Sequence, residues 1–205
     1  MATNMALKRA KKAKRRKEVA AQRLRAEASE ASLPARVLRA SQAPIQHCLL
    51  SESLFEIGMG TLILARGASP LRLAVSSFLL DVFCLGVKDV TFESVDREVF
   101  EMYKEAMDAG SPLVAVDPGY ARKLLRGVAA WSQSTGFAPY RDFAAVEQVF
   151  GDVNADASDA VFQFGRDGKP FYIPGPNDTA LLIRQRVEQL QKHLGDAGFE
   201  FETAA

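Results

Sequence analysis

Eight lysines and arginines fall within ten positions near the N-terminus: Lys8, Arg9, Lys11, Lys12, Lys14, Arg15, Arg16 and Lys17. Arg23 and Arg25 follow. Cations at this density repel one another. They suit a polyanion, whose condensed counterions they release on binding. Lysine supplies a compact charge, and arginine adds a planar fork that pairs with phosphate and stacks on bases. No aromatic residue stands among them, so the contact they predict is to phosphate rather than to base sequence. RNA, including ribosomal RNA, is the expected partner ahead of DNA. Three other uses fit the same residues: a solubilising tail, an anionic-membrane contact and a nuclear-localisation run.

A second chemistry rests on two carboxylates. Asp81 interrupts the apolar run Phe78-Leu79-Leu80-Asp81-Val82-Phe83-Cys84-Leu85, and Asp89 stands eight residues on. An even spacing puts both on one sheet face if the strand continues through Gly86. Such a pair could hold Mg²⁺ in a nuclease or phosphoesterase, with the basic arm gripping the substrate. The plainer reading has Asp81 accepting hydrogen bonds from neighbouring backbone or an arginine, and Asp89 exposed at a strand end.

Other residues offer less. His47 and Cys48 are adjacent, so in a strand they face opposite sides and make no Cys–His nucleophile pair. His193 falls near the end of the last helix, where a cation suits the macrodipole. Cys48 and Cys84 belong to no CxxC pair or His/Cys cluster, so they read as buried thiols, and no metal or other cofactor is expected. Gly58-Met59-Gly60 does not complete a dinucleotide fingerprint, because Ile63 stands where the third glycine would be. Gly165-Arg166-Asp167-Gly168-Lys169 lacks the spacing of a phosphate-binding loop and suits a hairpin turn. Residues 174–179 lead into a helix N-terminus, a place for an anion, but Asp178 there argues for a plain cap. Arg122, Lys123 and Arg126 cluster on one helix. They extend the arm's contact surface or form a solvated helix face.

The net charge of +1 over 205 residues hides a sharp division. Residues 1–39 hold twelve Lys/Arg against three Glu, a net of +9. Residues 40–205 hold fourteen against twenty-two Asp/Glu, a net of −8. The division predicts a basic arm and linker over 1–39 and one globular domain over 40–205. At 48% apolar and 25% charged, the chain has the composition of a globular protein rather than a disordered one. No apolar run reaches the roughly 18–20 residues of a membrane span. The basic start lacks a following apolar stretch, so it is not read as a secretory signal. A cytoplasmic location is expected.

The elements that must position these residues point to an α+β fold, an antiparallel sheet of about three to five strands with helices packed on it. Residues 5–31 are rich in helix formers, and residues 29–44 read as a linker broken by Pro34 and Pro44. Strands are expected over 45–50, 61–65 and 71–85, with 87–92 extending the last of these or adding another. The Gly67–Pro70 turn makes a hairpin. Ser94 is expected to cap a helix over 94–107, in which Arg97 and Glu101 pair. Asp117-Pro118 starts a helix that runs to about Ser134. Another helix is expected over 140–150. Residues 160–164 and 170–173 read as a second hairpin about Asp167-Gly168. Asn177 or Asp178 caps a last helix over 179–194.

The basic start, the run Phe78–Asp89 and the run Phe164–Ile173 together resemble a group of uncharacterised bacterial proteins with a basic N-terminal arm. The resemblance spans most of 45–190 and implies a bacterial cytoplasmic protein, without an activity or site residues. The reading that results is a non-enzymatic nucleic-acid-binding protein, RNA- or ribosome-associated through its arm. The metal-dependent enzyme at Asp81 and Asp89 stands as one alternative. The other is a protein-interaction module that uses its acidic body.

Overall fold

The computed structural model describes residues 31–202. The ten arm cations, and the helix expected over 5–31, lie outside the described residues. The first element is helix α1 (Leu33–Ser41). It replaces the expected linker. Pro34 sits in its first turn, where a missing N–H costs nothing and the fixed φ suits a helix. Val37 on α1 is wholly buried, so the packed body takes in this helix.

Strands β1 (Ile45–Ser51), β2 (Met59–Arg66), β3 (Arg72–Asp81) and β4 (Gly86–Asp96) run as an antiparallel meander. Strand β5 (Leu113–Ala115) returns antiparallel to the far side of β1, giving the order β4-β3-β2-β1-β5. The five strands fall within the expected number. One helical turn, α2 (Leu54–Ile57), joins β1 to β2 and ends at Gly58, whose φ is 83°. Helix α3 (Arg97–Gly110) lies on one face of the sheet, and α4 (Pro118–Ser134) on the other. A short helix α5 (Phe143–Val146), a 3-10 turn (Glu147–Phe150), strand β6 (Phe171–Tyr172), helix α6 (Ala180–Leu194) and strand β7 (Glu200–Phe201) complete the order. Strands β6 and β7 form a separate parallel pair. Among the described residues no helix is long and apolar enough to cross a membrane.

Side-chain alternation along the strands sorts the core. On β2, Leu62 and Leu64 join the α4 side, while Ile63 and Ala65 join the α3 side. Helix α4 presents Ala121, Leu124, Leu125, Val128 and Ala129, a stripe at three- and four-residue spacing. Each of its fully buried leucines stabilises by about 1.5–3 kcal/mol. Asp117 caps it as the sequence predicts, its side chain accepting from the N–H groups of Gly119 at 2.8 Å and Tyr120 at 3.0 Å. A third cluster, around Cys84, Phe137, Tyr172, Leu190 and Phe199, seats α6.

Several expected elements are corrected. The apolar run from 71 does not continue to 85; β3 stops at Asp81, and a turn leads into β4, a separate strand. The helix expected from Ser94 begins at Arg97, because Ser94 still pairs with Ala74 in the sheet. Glu101 pairs with Lys104 at 2.9 Å, not with Arg97, whose Nε donates to the Pro70 carbonyl. The helix expected over 140–150 is only α5 and the 3-10 turn. The last helix is capped by Thr179, whose Oγ1 accepts from the Leu182 N–H, and not by Asn177 or Asp178. The second hairpin forms its turn, with φ of 55° at Asp167 and 81° at Gly168, but not its ladder. Arg166 and Lys169 make one isolated bridge. Beyond it, Phe171 and Tyr172 pair with β7, while 160–164 pairs with no strand among the described residues.

Candidate functional site

Asp81 is 3% exposed and closes the β3–β4 turn. Its Oδ1 accepts from the Phe83 N–H at 3.0 Å and the Cys84 N–H at 2.8 Å. Burial pushes this carboxyl above its ordinary range, and the backbone N–H groups and Lys88 only partly oppose it. Asp89 is exposed on β4, where its Oδ1 accepts from the Val90 N–H. No group of three or more His, Cys, Asp or Glu side chains converges as metal ligands would, among the described residues. Through its bonds to the Phe83 and Cys84 N–H groups, Asp81 caps the β3–β4 turn. Asp81→Asn keeps the accepting oxygen and is expected to stay within about 1 kcal/mol of the parent. Asp81→Ala strands two buried N–H groups and is expected to cost about 1–3 kcal/mol in urea denaturation. If Mg²⁺-dependent RNA cleavage disappeared in a folded Asp81→Asn variant, the carboxylate would instead be a metal ligand.

The α4 cations Arg122, Lys123 and Arg126 all bond to the 147–158 stretch, Arg122 buried and Arg126 exposed. Arg122 is 7% exposed, and its Nε donates to Glu147 Oε1 at 2.8 Å. Its Nη1 donates to the carbonyls of Gly151 at 2.9 Å and Val153 at 2.6 Å. Arg126 Nε donates to the same Glu147 oxygen at 2.7 Å. Burial raises the Glu147 carboxyl, but the two arginines outweigh it and hold the group below the ordinary glutamate range. Lys123 donates to the Ser158 carbonyl at 2.6 Å. Nearby, Arg66 is 5% exposed and donates to the carbonyls of Ala43 and Phe150. These cations fasten the 147–158 stretch to the body, so Arg122 is no part of a solvated face. Sequence reasoning missed Glu147 entirely. The only signal was two arginines four apart beside an apolar stripe.

Near the C-terminus, Tyr172 donates to Asp178 Oδ2 at 3.0 Å, and Arg186 pairs with the same oxygen. The Gly175 N–H donates to it at 2.9 Å. Burial raises the Asp178 carboxyl, but these donors prevail and hold it below the ordinary range. Asp178 thus ties the 174–179 loop to α6 through Arg186.

Neither histidine nor thiol forms a reactive pair. His47 packs on Phe100 with ring centroids 4.9 Å apart, and burial lowers its pKa despite Glu101 at 3.8 Å. Cys48 lies on the opposite side of the sheet, in the α4 core. Burial pushes its thiol up to about 12 and raises that of Cys84 further. His193 Nδ1 lies 2.9 Å from the Gln189 carbonyl in the last turn of α6.

A groove of about 560 Å³ lies beside residues 160–164. Phe162 and Phe164 turn toward the body, and Val161 and Gln163 turn outward. The Phe55 and Phe162 rings lie parallel, with centroids 6.1 Å apart. Tyr120 meets Phe162 edge-on at 5.1 Å. Phe164 continues the row to Trp131 at 5.7 Å. Gly127 on α4 permits this seating, since a Cβ there would stand 3.2 Å from the Phe164 ring. Glu56, Arg166 and Asp167 line the groove. Arg166 is already engaged: it donates to Glu200 at 3.2 Å and lies 3.3 Å above the Phe171 ring centre.

Comparison of the chain with protein-family models, with curated proteins and with solved structures finds no match.

Proposed function

We propose that the chain is a non-enzymatic nucleic-acid-binding protein that contacts RNA, on the ribosome or elsewhere, through Lys8–Lys17, Arg23 and Arg25. The observation that carries this reading is the division of charge, +9 over residues 1–39 against −8 over the rest. The body supports it indirectly. Arg66, Arg122, Lys123, Arg126, Arg166 and Arg186 are all bonded within the fold. The arm holds the dense run of cations that phosphate neutralisation needs, and the acidic body repels a polyanion elsewhere.

The test is a pull-down from native bacterial lysate, with and without ribonuclease. It compares the full chain with a truncation beginning at Ala31. This boundary retains α1, which the body needs for packing. RNA recovered with the full chain alone is the expected result, and sequencing it names the partner. Equal, ribonuclease-insensitive protein partners on both forms would overturn the reading in favour of the acidic interaction module.

A further inference from the structure

We propose that the groove beside residues 160–164 binds an extended peptide by strand addition, one whose apolar side chains alternate with lysine or arginine. The inference stands apart from the arm and from RNA binding. Its first support is the backbone. The N–H and C=O groups of Val161, Phe162, Gln163 and Phe164 have no backbone hydrogen-bond partner among the described residues. Side chains in this stretch alternate inward and outward as in a strand, and Val161 is 94% exposed. The Asp167-Gly168 turn is built for a hairpin, yet the strand that would follow it pairs with β7 instead. What remains is an extended segment, outside any sheet, whose backbone could pair with an added strand.

The second support is the groove itself. Phe55, Tyr120 and Phe162 give it an aromatic lining. An added strand presents alternate side chains to such a surface and the others to its rim. The third support is charge. Glu56 and Asp167 line the groove, and neither has an ion pair to a described residue. The one cation there, Arg166, is held by Glu200. Uncompensated carboxylates repel a phosphate backbone and attract a basic peptide. Aromatic rings alone would also suit a single-stranded nucleic acid, but the charge of this groove decides against it.

The probe is a fluorescein-labelled octapeptide of alternating valine and lysine, read by anisotropy against the full chain. Binding tighter than about 1 mM is expected. The same peptide N-methylated at every second residue keeps its charge but loses half its donors, and is expected to bind at least about tenfold more weakly. Glu56→Gln with Asp167→Asn is expected to weaken the parent peptide by about fivefold or more. Both positions are exposed, so the variant should fold, as a circular dichroism spectrum checks. Unlabelled octauridylate should leave the peptide in place. No binding by about 1 mM, equal binding of the N-methylated peptide, or displacement by octauridylate each overturns the proposal. None of these outcomes decides whether the arm binds RNA.

Discussion

Replacing Lys8, Arg9, Lys11, Lys12, Lys14, Arg15, Arg16 and Lys17 with glutamine is expected to abolish measurable RNA binding at physiological salt, with the body still folded. If all eight cations meet a single strand, they contribute roughly −5 to −6 to the slope of log affinity against log salt. Raising salt from about 50 to 200 mM then lowers affinity about 10³-fold in the parent. In the glutamine variant, which keeps Arg23 and Arg25, the slope should fall to about −1. Replacing only Arg23 and Arg25 should remove about one unit of slope. Scrambled RNA sequences should bind alike, because phosphate contacts carry no sequence information. The body should keep its stability, as urea denaturation checks. A salt-independent affinity in the parent would end the proposal, whatever the variants did.

What could be read in the sequence follows how local the determining interaction is. The Asp117-Pro118 start and the stripe from Ala121 to Ala129 specify α4 within one segment, and the structure has that helix at Pro118–Ser134. The strands of the first hairpin and the Gly67–Pro70 turn are equally local. The β3–β4 turn was hidden because its stop signal is a side chain: Asp81 bonds the next backbone groups inside an apolar run. Gly86, with φ of 73°, was the one residue that marked it. Residues 160–164 were legible as extended and Asp167-Gly168 as a turn. Their pairing was not, because β6 takes its partner from some thirty residues away, Phe171 opposite Glu200. Non-local pairing of this kind leaves no trace in turn chemistry. Glu147 was hidden for the same reason. Its partners Arg122 and Arg126 lie 25 and 21 residues earlier in the chain, and nothing in its own neighbourhood marks it as buried.

Glu147→Ala is expected to be among the most damaging single substitutions in the body, at about 3–5 kcal/mol. The carboxylate, with 6% side-chain exposure, balances Arg122, whose side chain is 9% exposed. Removing it leaves a buried guanidinium without its counter-charge. That cost is a large part of the roughly 5–15 kcal/mol that stabilises an ordinary domain. Arg126 shares the same oxygen, but its side chain is 52% exposed, so Arg126→Ala should cost no more than about 1 kcal/mol. The pH dependence has a definite sign. The arginines hold the folded Glu147 carboxyl below its unfolded value, so its stabilisation is fully present above about pH 4.3 and is lost as pH falls through the folded pKa. The gap between parent and Glu147→Gln should therefore be widest near neutrality and narrow in acid. Urea denaturation at about pH 7 and about pH 3.5 measures both ends. Because desolvation opposes the pair, Arg122→Met with Glu147→Leu should recover much of what Glu147→Leu alone loses. If Glu147→Ala cost no more than Arg126→Ala, the pair would not fasten the 147–153 stretch. Arg122 would then be free to turn outward, and the α4 cations would return as candidates for the phosphate contact.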